Sequence, residues 1–394
     1  MTTSINKSNG SVSKMRGFRT ENVYEMAVSR MEKIYAEGHR CVVSFSGGKD
    51  STVVLEITIE AARKYGQLPV DVVMRDEEVG LPGLYEFCEK TAQRPEVNMM
   101  WLNANQPVLN VFNRAEPYFW VFDELLPPEK WVRRPPDWAT QIEELDIESM
   151  TIPARFPPPD GKDLYAVIGL RTQESRGRMY GLYSSGGYTT KPNKHGVRSA
   201  RPIYDWKYGD VWKAILEKGW DYCGAYDTMY RLGVKPMALR IGPPTMTPGS
   251  IDHLQIGMKA WPQWFDKVCE RLPGVRSAGQ FGKRAVEPVR HYKEKWEDVF
   301  HRECITEAPA QWIADRASSV EEKMLRAHRK HSSLPFNEVN PCAVCHGNLG
   351  SWKALAKGMY SGDPFSFKAN FMPYVEPSFF RADARSYNGG KPSW

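Results

Sequence analysis

The stretch Cys41-Val42-Val43-Ser44-Phe45-Ser46-Gly47-Gly48-Lys49-Asp50-Ser51 constrains this chain more than any other. It opens as a short run of β-preferring residues, long enough for a buried strand. The run breaks at Ser46-Gly47-Gly48, and from Ser51 the apolar residues Val53, Val54, Ile57 and Ala61 follow at helical spacing. A strand that ends in a Gly-rich turn and restarts as a helix aims several backbone N–H groups at one spot. The positive end of the helix dipole makes that spot an anion site. Two glycines let a phosphate approach the backbone, and Lys49 adds a mobile positive charge. A Walker-type loop needs a Gly four residues ahead of its Gly-Lys-Ser/Thr, and here Lys49 is followed by Asp50. Two glycines alone would suit an ordinary βα turn. The full hexapeptide between strand and helix predicts a phosphate loop of another type.

At 394 residues the chain has room for one large domain, or a core domain with an appendage. Thirteen Trp and 29 Pro point to long irregular segments packed with aromatics. The net charge of +6 suits an anionic ligand and permits nucleic acid without demanding it. No apolar run approaches the length of a membrane span, and the polar N-terminus does not read as a secretory signal. Seven scattered cysteines fit a reduced compartment, so the expectation is a cytoplasmic protein with no membrane contact. The expected organisation is a loose tail over residues 1–15, an α/β nucleotide-binding domain over 16–240, and a helical C-terminal domain over 250–394. An aromatic and Pro-rich insertion at about 105–163 interrupts the α/β domain.

In chain order, Thr20 is placed to cap a helix carrying Val23, Met26, Ala27, Met31, Ile34 and Tyr35, which Gly38 stops. Pro69–Met74 reads as a second buried strand ending in Asp76, Glu77 and Glu78. In a parallel α/β sheet, ligands sit beyond the carboxyl ends of the strands. A carboxylate such as Asp76 can there hold Mg²⁺ or a ribose hydroxyl, and a solvated acidic loop is an equal alternative. Leu84–Ala92 reads as a helix and Val97–Leu102 as a third strand. Arg133 and Arg134 lie among tryptophans; base stacking or phosphate contact is one reading, local packing of an inserted flap the favoured one. Leu164–Gly169 is a fourth strand. It delivers Gly169-Leu170-Arg171-Thr172-Gln173-Glu174-Ser175-Arg176-Gly177-Arg178, a turn whose arginine forks suit phosphate or sulfate, with Glu174 to orient one of them. In Arg201-Pro202-Ile203-Tyr204-Asp205-Trp206, Asp205 is placed to cap a helix carrying Val211, Trp212, Ile215 and Leu216. Arg201 is the member of that stretch expected to see the ligand.

The first of these motifs resembles the PP-loop of ATP-pyrophosphatases, whose members break nucleotides at the α-phosphate. The three together, in this order, resemble the phosphoadenosine phosphosulfate (PAPS) reductase family over roughly residues 20–235. That resemblance implies a doubly wound parallel sheet of the adenine nucleotide alpha hydrolase-like kind. It also implies that Ser44, Ser46, Gly47, Gly48, Lys49, Asp50 and Ser51 hold the phosphate or sulfate end of ATP or PAPS. Arg171, Glu174, Ser175 and Arg176 would complete the anion site, with Lys49, Asp50 and Arg171 as the catalytic candidates and Mg²⁺ if the ligand is ATP. The chain departs from the family in lacking the Glu-Cys-Gly-x-His segment that carries the reductase nucleophile. The expected activity is adenylylation or sulfur-transfer chemistry at the nucleotide's anionic end. The alternatives are a non-catalytic nucleotide-sensing partner of another protein and sulfur transfer to nucleic acid. The sequence does not set the oligomeric state.

From about Ser250 the chain reads as helical, with candidate helices Ile251–Leu272, His291–Cys304 and Pro309–His331. Cys342-Ala343-Val344-Cys345-His346 is the remaining chemical signal. Two cysteines so spaced bind Zn²⁺, pair as a redox dithiol, help hold an iron–sulfur cluster, or are ordinary thiols. Four-coordinate zinc would draw its remaining ligands from His346, Cys304, His328 or His331. The basic run Arg326–His331 reads as a solvated helix end.

Overall fold

The structure, a computed structural model, describes residues 21–142, 153–245, 250–345 and 348–381. The proposed tail, the Thr20 cap and His346 lie outside the described residues. The chain runs α1 (Val23–Ala36), β1 (Arg40–Ser44), α2 (Lys49–Lys64), β2 (Val70–Arg75), α3 (Leu84–Ala92) and β3 (Val97–Ala104). An antiparallel ribbon of β4 (Pro107–Leu109) and β5 (Tyr118–Trp120) follows, then β6 (Thr140–Ile142) and β7 (Leu164–Val167). Next come α4 (Arg176–Ser184), β8 (Val197–Ala200), α5 (Tyr208–Lys218) and α6 (Ala225–Arg231). The rest is helical: α7 (Ile251–Ala260), α8 (Pro262–Arg271), α9 (Val275–Phe281), α10 (Trp296–Phe300), α11 (Gln311–Arg329) and α12 (Trp352–Met359).

Six strands form one sheet in the order β6-β3-β2-β1-β7-β8. β1 pairs in parallel with β2 and β7, β7 with β8, and β3 with β6. The fold class is therefore α/β, with a parallel sheet and flanking helices, as expected. Val42 and Val43 of β1 are fully buried, the near-continuous apolar run of a central parallel strand. The strand order reverses at β1. Chain from β2 onward builds to one side, and β7 and β8 return to the other, so a topological switch point opens between the carboxyl ends of β1 and β7.

Local chemistry sets several boundaries differently from the sequence expectation. Asn22 caps α1, its side chain accepting from Tyr24 N. Gly38, at φ +78°, ends that helix as expected. Asp205 caps nothing. It forms a two-pronged ion pair with Arg30 (2.6 and 2.8 Å), and the Asp210 carboxylate closes the start of α5 on Lys207 N. The single helix expected over Ile251–Leu272 is broken into α7 and α8 by Pro262, which occupies the first turn of α8. The helix expected from His291 begins at Trp296, continues as a π-helical turn over His301–Thr306, and α11 then runs Gln311–Arg329. The segment 105–163 is not only a flap, since β6 joins the edge of the main sheet. Among the described residues no helix is long and apolar enough to cross a membrane.

The chain divides into two compact units, one of Met1–Met74, Glu86–Met100 and Asp146–Cys223, the other of Arg75–Tyr85, Trp101–Leu145 and Gly224–Trp394. In the first, α1 packs on α2, and α2 also meets α5. In the second, Val79, Val108, Phe119, Leu254, Phe265 and Val268 share one apolar cluster. Glu78 stands fully buried beside it, accepts from the Phe122 and Val132 amides (2.7 and 3.0 Å), and pairs with Arg271 (3.0 Å). Removing one partner of such a pair strands a buried charge and two amides. Arg271→Ala is expected to destabilise this unit by about 3–5 kcal/mol, read as a lowered denaturation midpoint.

Candidate functional site

The loop after β1 is shaped by its own residues. Gly47 has φ +68°, a left-handed conformation that glycine adopts without cost. Gly48 is the N-cap of α2 and brings no side chain over the first amides of the helix. Ser51 Oγ accepts from Ser46 N (3.2 Å) and donates to Gly48 O (2.9 Å), so this hydroxyl fastens the loop onto the helix start. Thr52 repeats the bond to Gly48 O through its own hydroxyl (3.0 Å). Ser46 is exposed at the tip and Ser44 half-buried at the end of β1.

The turn after β7 lies directly against this loop. A Cβ built on Gly169 would fall 2.8 Å from the carbonyl carbon of Asp50 and 2.9 Å from Ser51 N. Only a glycine lets the two backbones approach so closely. Arg171 follows, 4% exposed, and donates from Nε to Asp50 Oδ1 at 2.5 Å. Lys49, also 4% exposed, donates from Nζ to the other oxygen of Asp50 at 3.1 Å. One carboxylate thus orients two buried cations, one through each of its oxygens. Arg171 also reaches Gln173 Oε1 (3.2 Å) and Glu174 Oε1 (3.4 Å), and Arg178 pairs with Glu174. With the α2 N-terminus beside it, this cluster can hold an anion and stabilise negative charge that develops there.

Ser175, Thr172, Gln173 and Arg201 have structural partners. Ser175 caps α4, its hydroxyl accepting from Arg178 N (3.1 Å), and places Arg176 exposed on the first turn of that helix. The arginine turn is propped from behind by the third motif. Thr172 donates through N and Oγ1 to Tyr204 O (both 2.9 Å), and Gln173 Oε1 accepts from Tyr208 N (2.8 Å). Arg201 faces the 185–188 loop, donating to Ser185 Oγ (2.7 Å) and Gly187 O (2.9 Å), and burial lowers the pKa of its guanidinium.

Asp76 is fully buried rather than solvated. Its carboxylate accepts from Glu78 N (2.9 Å) and Trp101 Nε1 (2.8 Å) and pairs with Arg133. Arg133 lies 3.4 Å over the Tyr85 ring, which makes it part of a packed cluster, while Arg134 is exposed near Glu129.

At the other chemical signal, Cys342 Sγ and Cys345 Sγ lie beside His331 Nε2 (3.5 Å each), and Cys345 Sγ also beside His328 Nδ1 (3.2 Å). The His331 ring, helped by the Val344 and Cys345 amides, draws the Cys342 thiol down to about 6. Burial, with Cys342 adjacent, pushes Cys345 up to about 11. Cys304 does not join them. It donates to Ala356 O (3.5 Å) inside an apolar cluster, and burial pushes its thiol up to about 12. Of the further ligands the sequence offered, the structure brings His328 and His331 to the two cysteines, and the two-residue spacing of these histidines at a helix end mirrors that of the cysteines.

No family model matches the chain. It is 22% identical over 402 residues, 95% of this chain and 96% of the relative, to "Uncharacterized protein YbdN" of Escherichia coli (strain K12). Among solved structures, FMN adenylyltransferase of Candida glabrata is similar with a TM-score of 0.35 and 15% identity. That likeness covers 55% of this chain and 64% of the adenylyltransferase, so it spans under two thirds of the latter's length. The PAPS reductase of Candida auris, in a phosphate complex, has a TM-score of 0.32 and 13% identity, over 58% of this chain and 96% of that one.

The approach of Gly169 to the Asp50 backbone yields a direct test. Gly169→Ala is expected to cost about 1–3 kcal/mol, because backbone rather than a flexible side chain must yield. Gly209→Ala, exposed in α5 with nothing within 4 Å, is the control and is expected to gain up to about 1 kcal/mol. Equilibrium denaturation of both variants against wild type reads the difference.

Proposed function

We propose that the chain binds an adenine nucleotide, ATP or PAPS, with its phosphate or sulfate end between the 46–51 loop and the 169–176 turn, and acts at that end. The observation that carries this reading is the pair of buried cations, Lys49 and Arg171, set on one carboxylate beside the start of α2 at the switch point. The Ser-Gly-Gly-Lys-Asp-Ser loop and the arginine turn support the choice of an adenine nucleotide.

Catalysis in this reading is electrostatic. The α2 amides receive the anionic end of the ligand. Lys49 and Arg171, held by Asp50, need no reorientation as negative charge builds on the leaving phosphate or sulfur group. Asp50 is the positioning residue of the set, since it acts through the two cations. Glu174 orients the outer side of Arg171. Mg²⁺ enters with ATP as part of the substrate.

Calorimetric titration with ATP and with PAPS tests the binding half. Lys49→Ala and Arg171→Ala are each expected to weaken binding roughly 10- to 100-fold, the loss of a charge-assisted contact of about 1.5–3 kcal/mol. Unchanged affinity for both nucleotides in both variants overturns the site. Product analysis tests the chemical half. AMP with pyrophosphate from ATP, or sulfite from PAPS with a thiol, supports an enzyme. Tight binding of nucleotide with neither product across thiol and acceptor additions points instead to a regulatory, nucleotide-sensing role.

A further inference from the structure

The C-terminal region holds a second centre that is independent of the nucleotide reading. His328 sits in the last turn of α11, His331 just beyond its end, and Cys342 and Cys345 on the connection to α12. Each offers one donor atom, and all four atoms lie within 4.8 Å of one another. Two cysteines and two histidines, each pair separated by two residues, converge from segments 11 to 17 residues apart. An ion with Zn–S arms of about 2.3 Å and Zn–N arms of about 2.0 Å in a tetrahedron has N···S edges of about 3.5 Å. Three of the four such edges here are 3.2 Å (His328 to Cys345), 3.5 Å (His331 to Cys342) and 3.5 Å (His331 to Cys345).

The surroundings prepare the donors for an ion. His328 is almost fully buried, and its Nε2 donates to Leu334 O (3.1 Å). That bond fixes the tautomer and leaves Nδ1 as a bare lone pair aimed at the cluster, the arrangement by which backbone carbonyls orient metal-bound histidines. The Val344 and Cys345 amides point at Cys342 Sγ, as suits a thiolate, and Cys342 N donates to Gly350 O (2.8 Å) to close the turn. Phe336 packs edge-on against His328 and against Trp352, the first residue of α12.

We propose that His328, His331, Cys342 and Cys345 bind one Zn²⁺ as a closed, structural site that ties the connection before α12 to the end of α11. Two thiolates and two imidazoles fill the four positions zinc prefers and leave none open for substrate. An iron–sulfur cluster with this donor set places its histidines on one iron and its cysteines on the other. The short N···S edges leave room for a single ion only. The metal also commits both sulfurs, so Cys342 and Cys345 are withdrawn from redox and sulfur-transfer chemistry.

The test uses the full chain without an affinity tag of histidines. Elemental analysis is expected to find one zinc per chain and no stoichiometric iron. Replacement by Co²⁺ is expected to give the visible absorption of a tetrahedral site with thiolate charge transfer. A strong chelator is expected to raise the number of thiols open to a thiol reagent by two. Cys342→Ser and His331→Ala are expected to lose the metal, whereas His331→Cys, which restores a zinc ligand, keeps it. If the variants fail to fold, the wild-type measurements still decide. Absence of zinc after purification and zinc add-back, stoichiometric iron, or a Cys342–Cys345 disulfide by mass spectrometry overturns the proposal.

Discussion

The contact of Gly169 with the Asp50–Ser51 backbone is the constraint on which the architecture around the candidate site depends. β7 must return beside β1 for its turn to reach the start of α2, and that return creates the reversal of strand order. Because the two backbones touch, Arg171 arrives at hydrogen-bonding distance from Asp50, one residue beyond Lys49. Two cations that would be costly to bury singly are thereby held together by one carboxylate. Their shared position beside the helix N-terminus then follows from chain connectivity.

The three sequence motifs divide between a buried charged cluster and the contacts that support it. Lys49, Arg171 and the α2 amides carry the charge. Ser51 and Ser175 spend their hydroxyls on shaping the loop and capping α4. The third motif acts from behind. Tyr204 holds Thr172, Tyr208 holds Gln173, and Asp205 anchors this stretch to Arg30 of α1. Support of this kind keeps the two cations in place without reorganisation. In the other unit, Asp76 and Glu78 play an equivalent part for the 122–133 segment.

What the sequence disclosed depended on how local the physics was. β1, its loop and α2 were legible because the change from an apolar run to helical period falls within a dozen residues. The arginine turn was legible because it follows a strand. β6 was not, since Thr140-Gln141-Ile142 is too short to show a period and is held by pairing with β3. The fate of the acids was not legible either. The donors that enclose Asp76 and Glu78 lie 25 residues away at Trp101 and 193 at Arg271. Asp205 has the right residue type for a cap, yet a distant arginine claims it. The cysteine pair announced itself and His328 and His331 stood among its four candidate partners, but which of the four reach the sulfurs required the end of α11 and the following turn to be placed in space.

A nucleotide seated between the 46–51 loop and the 169–176 turn must change the backbone of both segments. Hydrogen–deuterium exchange, measured with and without saturating ATP or PAPS, resolves this by segment. The account predicts that residues 44–52 and 168–176 gain protection together with at least one of the two nucleotides. Binding that leaves both segments unchanged would contradict it.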